Sequence, residues 1–123
     1  MSAKKSTALT MPALKKGEAY AGILLKDGKP SHHLVLLPGD EQKNWKDATA
    51  WAKKKGGELP TRKEQALLFA NAADKFQQRW YWSSEEYAGN ADYAWIQNFS
   101  YGYQGYYHKS NDYRCRAVRR VAI

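Results

Sequence analysis

Apolar residues recur along this chain at more than one spacing, and each spacing predicts its own element. Two short runs, residues 20–25 and 34–37, flank Lys-Asp-Gly-Lys-Pro-Ser, and Asp27-Gly28 in that linker accommodates the positive φ angles of a tight turn. The pair predicts a β-hairpin, with His32 and His33 opening its second strand on opposite faces, badly placed to share a metal. Over residues 44–55 the spacing becomes helical: Trp45, Ala48 and Ala52 share a face with Trp51 beside them, and read as core. Asn44 can cap this helix, Asp47 sits near the free first-turn amides, Lys53, Lys54 and Lys55 favour the negative end, and Gly56-Gly57 stops it. A second helix is predicted from Thr61 to about Ala73, entered through Pro60, with Thr61 and Glu64 in capping-box spacing and Ala66, Leu67, Phe69, Ala70 and Ala73 as its apolar contribution.

From Trp80 the period moves toward two. Tyr93, Trp95, Gln97 and Phe99 alternate with Ala94, Ile96 and Asn98, which predicts a strand with Trp95 and Phe99 inward. Residues 101–105 break the run, a short tract passes through Tyr106, Tyr107 and His108, and a turn at Ser110-Asn111-Asp112 precedes one closing strand over residues 113–121. Helices early and strands late argue for an α+β fold instead of a doubly wound sheet.

Composition adds a second division. The last 44 residues hold twelve of the seventeen aromatics and no Leu or Met, whereas the first 68 hold ten Leu. The late segment therefore suits flat, hydrogen-bonding surfaces more than core filling. A length of 123 residues fits one domain, which we divide into a loose basic arm at 1–17 and a folded part at 18–123. The single Cys115 excludes an internal disulfide and a multi-cysteine metal site. No run approaches a membrane span or a secretory leader, so the expectation is a cytoplasmic protein that is not secreted and has no membrane partner.

The net charge of +8 raises the question of nucleic acid. Residues 1–79 carry fifteen Lys and Arg against eight Asp and Glu, and residues 80–123 carry five against four, so most of the basicity lies apart from the aromatics. Lys53, Lys54, Lys55, Arg114, Arg119 and Arg120 are the candidate anion-binding set, with soluble helix faces as the simpler explanation of the lysines.

Four ordered motifs carry a family resemblance: GGELPTRKE after a Trp-containing helix, YWSSEEY, AWIQNFSYG and HKSNDYRCRAVRRV. Over about residues 18–122 the chain resembles the phage and bacterial domain of unknown function that also forms the C-terminal domain of Legionella collagen-like proteins. That resemblance implies a branch of the C-type lectin-like fold, related to sulfatase-modifying factors and to the variable proteins of retroelements: two helices flanking a small, twisted, mostly antiparallel sheet with long late loops. It implies scaffold roles for Leu59, Pro60, Thr61, Glu64, Trp82, Ser83, Ser84, Trp95, Phe99, Arg116, Ala117, Val118 and Arg119. The calcium tripeptides of sugar-binding lectins are absent, which speaks against calcium-dependent sugar binding, and one thiol does not supply the pair that the formylglycine-generating branch needs. Ser83 and Ser84 have no base placed beside them by any motif. The expectation is no enzyme, no metal and no cofactor.

Scaffold logic leaves Tyr87, Asn90, Asp92, Tyr101, Tyr103, Gln104, Tyr106, Tyr107, His108, Asn111 and Tyr113 unassigned. Tyrosine gives large contact area with few rotors, and Asn, Ser and Gly adapt their hydrogen bonds, which is the chemistry of a recognition surface. The reading is a binding protein of phage or prophage origin whose partner is a host or phage protein. A nucleic-acid-associated protein and a virion or receptor-binding component are the alternatives.

Overall fold

The tight turn forms where Asp27 and Gly28 stand. The computed structural model describes residues 9–123, and in it β1 (Ala19–Lys26) and β2 (Lys29–Leu36) pair antiparallel across Asp27 at φ 52° and Gly28 at φ 77°. Of the expected arm, residues 1–8 lie outside the described part. Residues 9–17 contain no helix or strand and are mostly exposed, and Arg119 donates to the Ala13 carbonyl at 3.0 Å.

Both helices begin at the predicted caps. For α1 (Trp45–Lys54), the Asn44 side chain accepts from the Asp47 N–H at 2.9 Å. For α2 (Arg62–Ala72), Thr61 Oγ1 accepts from the Glu64 N–H at 3.2 Å while Glu64 Oε1 accepts from the Thr61 N–H at 2.9 Å, and a 3-10 turn follows at Ala73–Lys75. Each pairing satisfies amides that a helix start leaves open.

The remaining strands are β3 (Glu41–Lys43), β4 (Trp80–Glu86), β5 (Tyr93–Asn98), β6 (Gln104–His108), β7 (Tyr113–Cys115) and β8 (Val118–Ala122). The fold is α+β, and its strands divide between a three-stranded sheet, β1-β2-β8, and a five-stranded sheet, β3-β7-β4-β5-β6. Pairing is antiparallel except where β4 meets β7 at Tyr81 and Arg114. One core cluster joins Leu34, Leu36 and Val118 of the small sheet to Leu68 and Ala72 of α2 and to Tyr81, Phe76 and Phe99, the last two stacked at 3.9 Å. The other joins Ala48 and Ala52 of α1 to Trp82, Ala94, Ile96 and Cys115. The large sheet thus lies between α1 on one face and α2 with the small sheet on the other.

Two expectations change, and one strand carries no signal in the sequence. The closing segment is not one strand: β7 belongs to the large sheet and β8 to the small one, and the chain crosses between them at Arg116 and Ala117. Arg116 fixes the crossing by donating to the Leu37 carbonyl at 2.7 Å and to the Lys75 carbonyl. Next, Ala94 and Ile96 are the buried apolar residues of β5, while Trp95 is half-buried on the opposite face beside the buried Gln97; Phe99, just past the strand, is buried as expected. On the face toward α1 the neighbouring Trp82 fills much of the space above Ala48 and Ala52, and Ala94 and Ile96 take what is left. Finally, β3 is a strand with no apolar pattern. No helix among the described residues is long and apolar enough to cross a membrane.

Candidate functional site

Side-chain alternation on β6 separates the late tyrosines. Gln104, Tyr106 and His108 project to the α2 side with Tyr93, Trp95 and Gln97 of β5, their cross-strand partners. There the Tyr106 ring stacks on Tyr87 with centroids 3.8 Å apart and planes 6° from parallel, and Trp95 stands edge-on to both, at 5.2 Å and 5.8 Å. Tyr93 closes the group, edge-on to Tyr106 at 6.2 Å and His108 at 5.5 Å. Hydrogen bonding with the Tyr106 hydroxyl raises the Tyr87 phenol above its ordinary value.

Arg62 supports this group from the first turn of α2, a role no spacing in the sequence signals. Its guanidinium lies 3.5 Å from the Trp95 ring centroid, a cation–π contact. Gln104 holds it there: Arg62 Nε donates to Gln104 Oε1 at 2.9 Å, and Gln104 Nε2 donates to the Arg62 carbonyl and to Gln97 Oε1, each at 2.9 Å. Gln104, expected to contact a partner, is instead a buttress. The Arg62 N–H donates to Glu85 Oε2 at 2.7 Å, so a carboxylate already occupies the positive end of α2.

Tyr107 projects to the α1 side, where it meets Trp80 at 6.0 Å and Tyr113 at 5.8 Å. Tyr113 in turn stands edge-on to the buried Trp82 at 5.1 Å, and burial raises its phenol. Beside them a cleft of about 520 Å³ is lined by Trp80, Tyr113, Asn98, Arg79 and Asp112, among others. Tyr101 and Tyr103 sit at the tip of the β5–β6 hairpin, 74% and 67% exposed. Gly102 between them, at φ 83°, lies so near Phe69 that an added Cβ would come within 3.0 Å of the ring. Tyr103 also walls a groove of about 870 Å³ that runs past Arg62, Lys63, Ala66 and Glu85.

The small polar candidates hold turns. Asn90 Oδ1 accepts from the Asp92 N–H at 2.9 Å, the Asp92 carbonyl accepts from the Lys109 N–H at 2.8 Å, and the Asn111 N–H donates to the His108 carbonyl at 3.0 Å. His108 Nδ1 pairs with the Ser110 hydroxyl at 2.8 Å. One expected surface is therefore three neighbouring places around one hairpin.

The cationic set also divides. Arg114 donates to Asp40 at 2.6 Å, Arg119 to Glu18 at 2.9 and 3.0 Å, and Arg120 to Glu64 at 2.6 and 2.7 Å and to Glu58. The Arg119 guanidinium holds the Glu18 carboxyl at about 2, well below its ordinary 4.5. These three arginines are committed to internal pairs. Lys53, Lys54 and Lys55 remain exposed at the end of α1, with Lys55 resting over Trp51 at 5.7 Å. Among the described residues no three His, Cys, Asp or Glu side chains gather as a metal site. Ser83 is buried and its hydroxyl accepts from the Glu85 N–H at 3.1 Å.

A comparison with curated proteins gives no match. The model of the Lcl C-terminal domain family matches residues 27–119, which span the hairpin turn, both helices, the whole large sheet and the start of β8. The chain belongs to the Lcl C-terminal domain family.

Proposed function

We propose that this chain is a non-enzymatic binding domain that recognises a macromolecular partner, a host protein or another phage protein inside the cell, through the tyrosine-rich β5–β6 hairpin. The observation that carries the reading is the exposure of four large aromatics within seven consecutive residues: Tyr101, Tyr103, Tyr106 and Tyr107 are 43–74% exposed. Their polar neighbours satisfy one another. The rings therefore sit on a pre-set frame, with little ordering left for a partner to impose. The groove beside Tyr103 is open to solvent, which suits a segment of macromolecule better than an enclosed small ligand.

Nucleic acid is the second reading, and the pairing of Arg114, Arg119 and Arg120 with carboxylates weighs against it. The test captures partners from host lysate, with and without nuclease, and measures affinity for the recovered partner. Tyr103→Ala with Tyr106→Ala should weaken binding at least ~30-fold, about 2 kcal/mol, with the fold retained. Reversal of Lys53, Lys54 and Lys55 to Glu should change it little. The opposite pattern, with steep loss of affinity in salt, would transfer the function to the lysines.

A further inference from the structure

β6 is the free edge of the large sheet, and half of its main chain faces outward without a partner among the described residues. At the two ends of its ladder with β5, the Asn98 N–H donates to the Tyr103 carbonyl at 2.7 Å and the Lys109 N–H donates to the Asp92 carbonyl at 2.8 Å. Between those ends Gly105 faces Ile96 and Tyr107 faces Ala94. Antiparallel alternation then turns the N–H and C=O of Gly105 and Tyr107 toward β5. The same groups of Gln104 and Tyr106, and the His108 N–H, point away from the sheet. Exposed edges are usually blunted by a bulge, a proline, a charge or a covering element. β6 has an unbroken register, and residues 101–108 contain no Pro, Lys, Arg, Asp or Glu.

We propose that β6 pairs antiparallel with β6 of a second copy of this chain, about a two-fold axis through Tyr106, making one continuous sheet from two. In that register Tyr106 exchanges both main-chain bonds with its counterpart, and Gln104 faces His108 in each half. Charge restricts where two copies of this chain can meet. Each copy carries +8, and the uncharged tract 101–108 is where two such molecules meet with no like charges opposed. The edge is also self-complementary, as a two-fold contact must be. Pairing uses the main-chain rim of β6, whereas the binding function proposed above rests on the side chains of the hairpin, so oligomeric mass reports on the one and affinity for a captured partner on the other.

Strands of five residues bury little area, so the dimer should be weak. Sedimentation velocity from about 5 μM to about 1 mM should show the mass moving from one chain toward two. Hydrogen exchange of the Tyr106 amide should slow about fivefold at the upper end, with the inward Tyr107 amide unchanged. Tyr106→Lys places two cations on the axis and should stay monomeric throughout. His108→Pro removes an outward donor while keeping the ladder to β5, and should do the same if the first variant fails to fold. A wild-type chain of single mass throughout overturns the pairing, as does a dimer that survives both substitutions. Protection of the Tyr106 amide only on addition of a different protein, with this chain still monomeric, would show that an extended partner strand occupies the rim instead.

Discussion

Removing the Arg120 guanidinium should destabilise the domain through a carboxylate that cannot reach water. Glu64 is 2% exposed and accepts from Arg120 Nε at 2.6 Å, Arg120 Nη2 at 2.7 Å, His32 Nε2 at 2.8 Å and the Thr61 N–H at 2.9 Å. Burial pushes its carboxyl up, but the hydrogen bonds from Arg120, Thr61 and His32 outweigh that push and hold it below its ordinary 4.5. In Arg120→Met the stem stays and two of four hydrogen bonds vanish. Breaking a buried ion pair costs roughly 3–5 kcal/mol. Arg120 itself is 29% exposed, so water can enter the vacated space, and the Glu58 arm of the pair is exposed and weak; the lower range of ~2–3 kcal/mol applies. For a chain of this length that lowers Tm by roughly 6–15 °C in a calorimetric scan. The sign with pH follows from the lowered folded value: the stabilisation is present above the ordinary 4.5 and fades as acid protonates Glu64, so the gap between wild type and variant should narrow as the pH falls below that value. Glu64→Gln made alone and with Arg120→Met completes a double-mutant cycle, with coupling of at least ~1 kcal/mol expected. A Tm change under ~2 °C at pH 7, or additive effects in the cycle, would refute the reasoning.

Trp82→Ala should cost about 3–5 kcal/mol, because a fully buried ring disappears and the Lys43 carbonyl loses its 2.9 Å donor; Trp95→Ala, losing a half-buried ring, should stay folded and disorder Tyr87 and Tyr106 instead. Near-UV circular dichroism with thermal melts separates the two, and equal destabilisation would contradict the burial difference. Cys115 should resist thiol reagents at pH 8 until denaturant is added, because burial pushes its thiol up to about 12. Labelling of the native protein at the rate of a free thiol would count against that.

Local chemistry was readable where one residue type has one physical solution. Asn44 and Thr61 announce helix starts, and Asp27-Gly28 announces a turn. Phase was not readable where both alternating sets are apolar. Tyr93 and Trp95 compete with Ala94 and Ile96 for the core, size favours the wrong pair, and a one-residue slip reverses every assignment on the strand. The change of sheet after Cys115 left only a slight trace, a phase shift where Ala117 and Val118 stand side by side and Arg119 and Arg120 follow. β3, Glu-Gln-Lys, exists only because β7 lies beside it. The same limit applies to the site: the tyrosines could be named as a set, whereas their division among two faces and a tip depends on pairing register, and Arg62 reaches Trp95 across 33 residues of chain.

The crossing at Arg116 and Ala117 makes synthesis and folding run out of step. A ribosome delivers the N-terminal hairpin, both helices and the whole large sheet before β8 exists. Until it does, β2 has a bare edge, Glu18 waits for a guanidinium 101 residues away, and Glu64 for one 56 residues away. The core beneath α1 is complete by Ala117, whereas the core beneath α2 still lacks Val118, so the small sheet and its long-range contacts form only once β8 is present. Chains interrupted near residue 117 would lack the β2–β8 ladder, Val118 and the guanidinium partners of Glu18 and Glu64, which exposes them to proteolysis.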